Sequence, residues 1–273
     1  MTSPDRLPVA HRRFVTGPVV AGLAMALSSL PGHAGRSAYP WSPAPPLAGE
    51  TLAARVAPPA GFQRVPAAAG SWAEWLRGLP MKPQGSAVHL FNGAVKPRQD
   101  VHAAIVDIDV GTRDLQQCAD AVMRLRAEWL LAAGRPRDIA FNYTDGKRHA
   151  FATRAGTDYA SFRKYMNGVF AYAGTYSLDK ELRAVPDGSI DIGDVLIKGG
   201  FPGHAVLIAD LVRNPATGER RFLLLQSYMP AQDIHILKNP SSADGSPWYA
   251  FPISYPFPTP EWTFPAGSHK RWP

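Results

Sequence analysis

GDVLIKGGFPGHAVLIADL, residues 193–211, decides how the last third of the chain is read. Gly193 and Asp194 form a turn signal, residues 195–197 an apolar strand, and residues 199–203 a Gly-rich bend. His204 then stands at the mouth of a second strand, predicted at 205–212. Further strands are predicted at 221–227 and 234–237, with Asn214 to Gly218 as the hairpin turn between the second and third. Short strands joined by turns indicate an antiparallel meander.

Upstream, the pattern is helical. Ser71 caps a short helix at 72–78, ended by Leu79-Pro80. Strands are predicted at 88–91 and 101–110. The strongest helix spans 112–133, capped by Thr112 or Asp114 and stopped by Gly134 and Pro136. Leu115, Cys118, Val122, Leu125 and Trp129 share one face of it at helical spacing. A hairpin at 139–143 and 149–153, a helix at 158–172 begun by Thr157, and a short helix at 178–183 capped by Ser177 follow. The fold class expected is α+β, with one helix packed on a mostly antiparallel sheet. The tail from Ser246 is aromatic and Pro-rich and is expected to lie across the core without regular elements.

The first 34 residues read as a signal peptide: Arg12 and Arg13 as the basic region, an interrupted apolar stretch at 14–30, and Gly32-His33-Ala34 as the cleavage site. A periplasmic or secreted product is therefore expected. Residues 35–68 form a Pro/Ala-rich lead-in, expected to be extended and to touch the domain through Trp41 and Phe62. Residues 69–273 make a single α+β domain. An apolar content of 45% against 19% charged residues is that of a globular chain. The net charge of +7 is spread out and fits an anionic envelope polymer. It forms no basic run interleaved with aromatics, so nucleic acid is not an expected partner. The apolar stretch is too broken to span a bilayer, so an integral membrane protein is not expected. No cofactor motif is found. His89, His102, Asp107 and Asp109 lack metal-ligand spacing, and no metal is expected.

Cys118 is the chain's one cysteine. In an oxidising compartment it has no intramolecular partner, so it is either buried and inert or kept as a thiol because a thiol is needed. A cysteine nucleophile needs a base, a group that orients the base, and donors for an oxyanion. His204 is the candidate base. Gln226, polar in an apolar strand, is the first candidate to orient it, and Asp210 the second. Gln117 or the Cys118 N–H is the candidate oxyanion donor. Ser227, Tyr228, Gln232 and His235 belong to a segment too rich in polar groups for a plain connector, and are expected to line the same cleft. The alternative for that segment is a strand–turn–strand whose amides satisfy buried backbone. The alternative for Cys118 is a small core hydrophobe.

Residues 193–206 resemble the histidine segment of papain-like cell-wall endopeptidases and amidases of the NlpC type. There a Gly-Asp-hydrophobic strand leads to a Gly-His-hydrophobic strand, and the cysteine lies upstream on a helix. The resemblance implies a papain-like arrangement and a cysteine hydrolase acting on cell-wall peptide, with Cys118, His204 and Gln226 as its catalytic set. A different class, a non-catalytic envelope-binding module of the same fold, is the alternative. Over most of the chain, WLRGLP (75–80), DLQQCADAVMRLRAE (114–128), YAGTYSL (172–178), PGHAV (202–206), QSYMPAQDIHILKNP (226–240) and SPWY (246–249) resemble the bacterial family described as domain of unknown function 4846. That resemblance implies no activity.

If the leader reading holds, the mature chain begins at Gly35. N-terminal sequencing of protein recovered from the periplasm checks this. An intact Met1 on cytoplasmic protein would overturn it.

Overall fold

The computed structural model describes residues 1, 38–151, 158–186 and 188–273. The predicted leader and its cleavage site, Thr157, and the end of the 149–153 strand lie outside the described residues. Five α-helices are described: α1 (Leu52–Arg55), α2 (Trp72–Arg77), α3 (Cys118–Ala132), α4 (Tyr159–Tyr172) and α5 (Thr175–Glu181). The strands are β1 (Gln63–Arg64), β2 (His102–Ile105), β3 (Ala140–Asn142), β4 (Arg148–Ala150), β5 (Arg183–Ala184), β6 (Val195–Lys198) and β7 (His204–Arg213). They continue with β8 (Arg220–Gln226), β9 (His235–Leu237), β10 (Trp248–Phe251), β11 (Phe257–Pro258), β12 (Thr263–Phe264) and β13 (His269–Arg271). Helix and antiparallel sheet are mixed, so the class is α+β.

The main sheet runs β2-β9-β8-β7-β6-β13-β5, with β1 added along β7 and β10 along β8. The meander of residues 193–237 supplies its centre, as the turn signals predict. β7 is buried along nearly its whole length, because α2 and α3 pack on it. Its register with β8 shifts between Ile208 and Asp210. Such a bulge reverses the alternation of side chains, so His204, Val206 and Ile208 face one side of the sheet and Asp210 the other.

Several expectations are corrected. The lead-in is not simply extended. It carries α1 and β1, and Trp41 packs edge-on against Trp75 with its indole N–H donating to the Asp107 carbonyl at 2.8 Å. Residues 88–91 form no strand; only isolated bridges join them to their neighbours, and the 101–110 strand shortens to β2. The aromatic tail has regular structure after all: β10 pairs with β8 and β13 with both β6 and β5. Pairing needs only free backbone groups on a sheet edge, which an aromatic, Pro-rich composition does not announce.

Helix α3 also differs. It is buried nearly all round, including Asp120, Arg124 and Glu128 at successive i,i+4 positions, while Trp129 is only half-buried. The stripe is only partly paired: among the described residues Asp120 Oδ1 and Glu128 Oε2 are buried without a hydrogen-bond partner, and burial raises the pKa of both carboxyls. Arg124 Nη2 donates to Asp109 Oδ1 at 2.6 Å, Nη1 to Gln116 Oε1 at 2.5 Å, and Tyr159 donates to Glu128 at 2.8 Å.

The Gly193-Asp194 turn is fixed by tertiary contacts. Gly193 has φ +95°, and a Cβ there would run into the Trp72 indole. Asp194 accepts from His269 Nε2 at 2.9 Å and from Arg271 Nε and Nη2 at 2.5 and 2.8 Å, tying β13 to β6. Burial works to raise its pKa, but the bonds from Arg271 and His269 prevail and hold the carboxyl below its ordinary value. This stabilisation is therefore complete above the unfolded carboxyl pKa of about 3.9 and is lost as pH falls through the lower folded value. Asp194→Ala is expected to cost about 2–4 kcal/mol, less than a fully buried pair because Arg271 is partly exposed. Urea unfolding measures the loss. Hydrogen exchange at the Ile197 N–H, which donates to Ser268 O at 2.8 Å, reports whether β13 detaches.

Candidate functional site

α3 begins at Cys118, a turn and a half later than the periodicity predicts. Asp114, one of the two expected caps, accepts instead from the Ala231 N–H at 2.7 Å and from Gln117 Nε2 at 3.0 Å. Residues 113–117 fold into tight turns, and Asp120 Oδ2 takes the Gln117 N–H at 3.0 Å. The thiol thus sits at the first helical position, where N–H groups have no intrahelical acceptor and the dipole is positive.

Cys118 is 6% exposed and lies in the wall of a cleft of about 380 Å³. The cleft is formed by the start of α3, the Ala173-Gly174-Thr175 entry to α5, the Gly200–Gly203 bend and Met229. Burial first, and then the neighbouring Asp120 carboxyl, push the thiol up to about 11, against the pull of the N–H groups of Ala205, Ala119 and Cys118. Ala205 directly follows His204, so the thiol lies against the start of β7. Among the described residues no hydrogen bond joins the sulfur to the His204 ring.

His204 and Gln226 come together through the sheet. One step beyond the Leu207–Leu225 pair, Gln226 stands opposite Val206, which makes His204 its diagonal neighbour on the same face. The contact between His204 Nε2 and Gln226 Oε1 is 2.9 Å. The His204 ring is 1% exposed and lies among Tyr228, Trp262 and Phe264, with centroids 5.0, 5.4 and 5.8 Å away. Burial pushes the imidazole down to about 4, against the Gln226 bond, with the Lys96 charge adding to the fall.

The remaining candidates separate. Gln117 lines the cleft. Asp210 does not reach His204, because the bulge turns it to the other face. There it accepts from Arg64 Nε at 2.7 Å and Arg77 Nε at 2.6 Å. Ser227, Gln232 and His235 are buried and do not line the cleft. Ser227 Oγ lies 2.8 Å from the Gln232 carbonyl and 3.2 Å from that of Gln116, so it serves backbone. Tyr228 is half-buried, with its ring on His204 and its hydroxyl donating to Glu261 O at 3.2 Å. Of this segment, Met229 is the cleft residue. Sequence reasoning passed over Lys96 and Glu261, a buried pair at 2.6 Å beside Gln226. They lie far apart in the chain and in no periodic pattern, so nothing local marks them.

Gln226 is fully buried with both ends of its amide engaged. Gln226→Ala should therefore lower stability by about 1–3 kcal/mol, as expected when buried partners lose their bonds. The shift of the urea midpoint at constant slope measures it; an unchanged midpoint would place the amide in contact with solvent.

The sequence profile of the family described as domain of unknown function (4846) matches residues 52–155 and 149–271. No curated protein and no solved structure matches the chain. No helix among the described residues is long and apolar enough to cross a membrane. The profile covers α1 through β13, including every residue of the cleft and of the His204–Gln226 pair, and the chain belongs to that family of unknown function.

Proposed function

We propose that the chain is a cysteine hydrolase of papain-like arrangement that cleaves amides in peptides of the cell envelope, and that it works in the periplasm or outside the cell. One observation carries the reading: Cys118 opens α3 in the wall of a cleft, against the strand start whose histidine is held by a glutamine amide.

The chemistry follows from the charge states. With the thiol near 11 and the imidazole near 4, both groups are neutral across the physiological range. The reaction therefore starts from a neutral pair rather than an ion pair. Cys118 Sγ attacks the amide carbon as its proton passes to His204, and the carbonyl oxygen becomes an oxyanion facing the N–H groups of the first α3 turn. The C–N bond then breaks, the imidazolium proton goes to the leaving amine, and a thioester remains. Water, giving a proton to His204, attacks the thioester; the acid leaves and the thiol regains its proton.

The second reading, a non-catalytic envelope-binding module, is favoured by the buried thiol and by the cleft's rim. Phe201 is 80% exposed and stacks on Tyr176 at 6.1 Å, and Met229 is 47% exposed. Such residues suit recognition of apolar groups.

Alkylation by iodoacetamide separates the readings. A thiol with a raised pKa reacts at pH 7 more slowly than free cysteine, whose pKa is about 8.5. If His204 is the base, His204→Ala slows it further, and the His204-dependent rate is flat through neutral pH and falls as pH drops through about 4, where the imidazole becomes protonated. A rate at Cys118 that His204→Ala leaves unchanged, measured by mass spectrometry of the native protein, sinks the hydrolase reading.

A further inference from the structure

We propose that Glu261 and His235 are positioning residues. They hold the Gln226 amide with its nitrogen turned away from His204, so that His204 carries its proton on Nε2 and keeps Nδ1 as the proton acceptor. The role in catalysis rests on the hydrolase reading; the proton arrangement itself does not.

His235 Nδ1 lies 2.8 Å from the Asp233 carbonyl, which only accepts, so Nδ1 bears the proton of this ring. Burial keeps His235 neutral, pushing it down to about 3. Its Nε2 is therefore a bare acceptor, and it lies 3.4 Å from Gln226 Nε2. Glu261 Oε2 lies 2.7 Å from the same amide nitrogen, and accepts from Lys96 Nζ at 2.6 Å. An oxygen that accepts from an ammonium has no proton to offer the amide.

Gln226 thus meets two acceptors on one side, and its NH2 group has two hydrogens for them. Rotating the amide by half a turn would set its oxygen against both acceptors and leave His204 Nε2, when unprotonated, to take only one of the amide's two N–H hydrogens. Its oxygen must then face His204 Nε2 at 2.9 Å, and an amide oxygen there requires Nε2–H. Lys96 is held in turn, because Gln232, with its amide oxygen toward the ammonium, accepts from Nζ at 3.2 Å. Gln232 and His235 therefore act behind the site rather than within the cleft.

Long-range proton–nitrogen correlation spectra of the full chain labelled with 15N-histidine test this at pH 7. The expected spectrum shows His204 as a single tautomer, with Nε2 at the protonated position and Nδ1 at the unprotonated, downfield one. An Nδ1–H ring, or a mixture, in the unaltered protein overturns the assignment without any variant. In Glu261→Gln, which keeps the shape but adds a donor, and in His235→Phe, a second set of His204 signals from the Nδ1–H form is expected. If either variant folds and keeps the single Nε2–H form, the positioning role of that residue is overturned. Alkylation insensitive to His204 would remove the hydrolase reading while leaving the tautomer result intact, so the two fail separately.

Discussion

The register of β7 is the constraint on which the rest depends. This ten-residue strand pairs with β6, β8 and β1, and His204, Asp210, Gln226 and, through β9, His235 are placed by where they fall along that ladder. His204 is its first residue, diagonal to Gln226 at the end of β8, whose opposite number on β9 is His235. A slip of one residue would carry His204 to the other face and leave Gln226 with a buried, unbonded oxygen. The bulge near Ala209 separates two jobs on one strand. Before it, side chains face the amide network; after it, Asp210 is turned toward the arginines of β1 and α2.

Buried polar groups are costly unless paired, and this protein buries many of them. Two solutions are used. Arg124 is matched with Asp109 and Glu128, and Asp194 with Arg271 and His269, by opposite charge, while burial raises the pKa of Asp120, whose Oδ1 has no partner among the described residues. Around Gln226 the histidines are neutral, and the charged pair of Lys96 and Glu261 meets the amide nitrogen directly. Neutral histidines whose protons are placed by their neighbours make a network with a definite hydrogen-bond direction. Its contribution to stability alone is modest, since a well-packed apolar cluster would hold the sheet as well.

The first turn of α3 shows how a helix start is decided. Asp114 and Thr112 are both good caps by residue type. Asp114 is drawn instead to the Ala231 N–H, and the helix begins where Asp120 reaches back to the Gln117 N–H. The shift moves Cys118 from the second turn of the predicted helix to the first position. It also brings the thiol beside Ala205 and into the cleft wall.

The sequence by itself determined the α+β class, the central meander, the Asn214–Gly218 turn and the Ser71 cap, and it put Gln226 ahead of Asp210 as the partner of His204. These follow from local signals: turn residues, period-two alternation, and a polar side chain alone in an apolar strand. It did not determine where α3 starts, that the aromatic tail adds strands, that Asp210 faces away from His204, or that Gln232 and His235 lie behind Gln226 in the core. Each of those turns on groups brought together from distant parts of the chain. A carboxylate chooses among N–H groups tens of residues away, and a bulge that reverses a face leaves no mark in residue periodicity. Lys96 and Glu261 meet only after the sheet is assembled, so their pairing belongs to the tertiary structure alone.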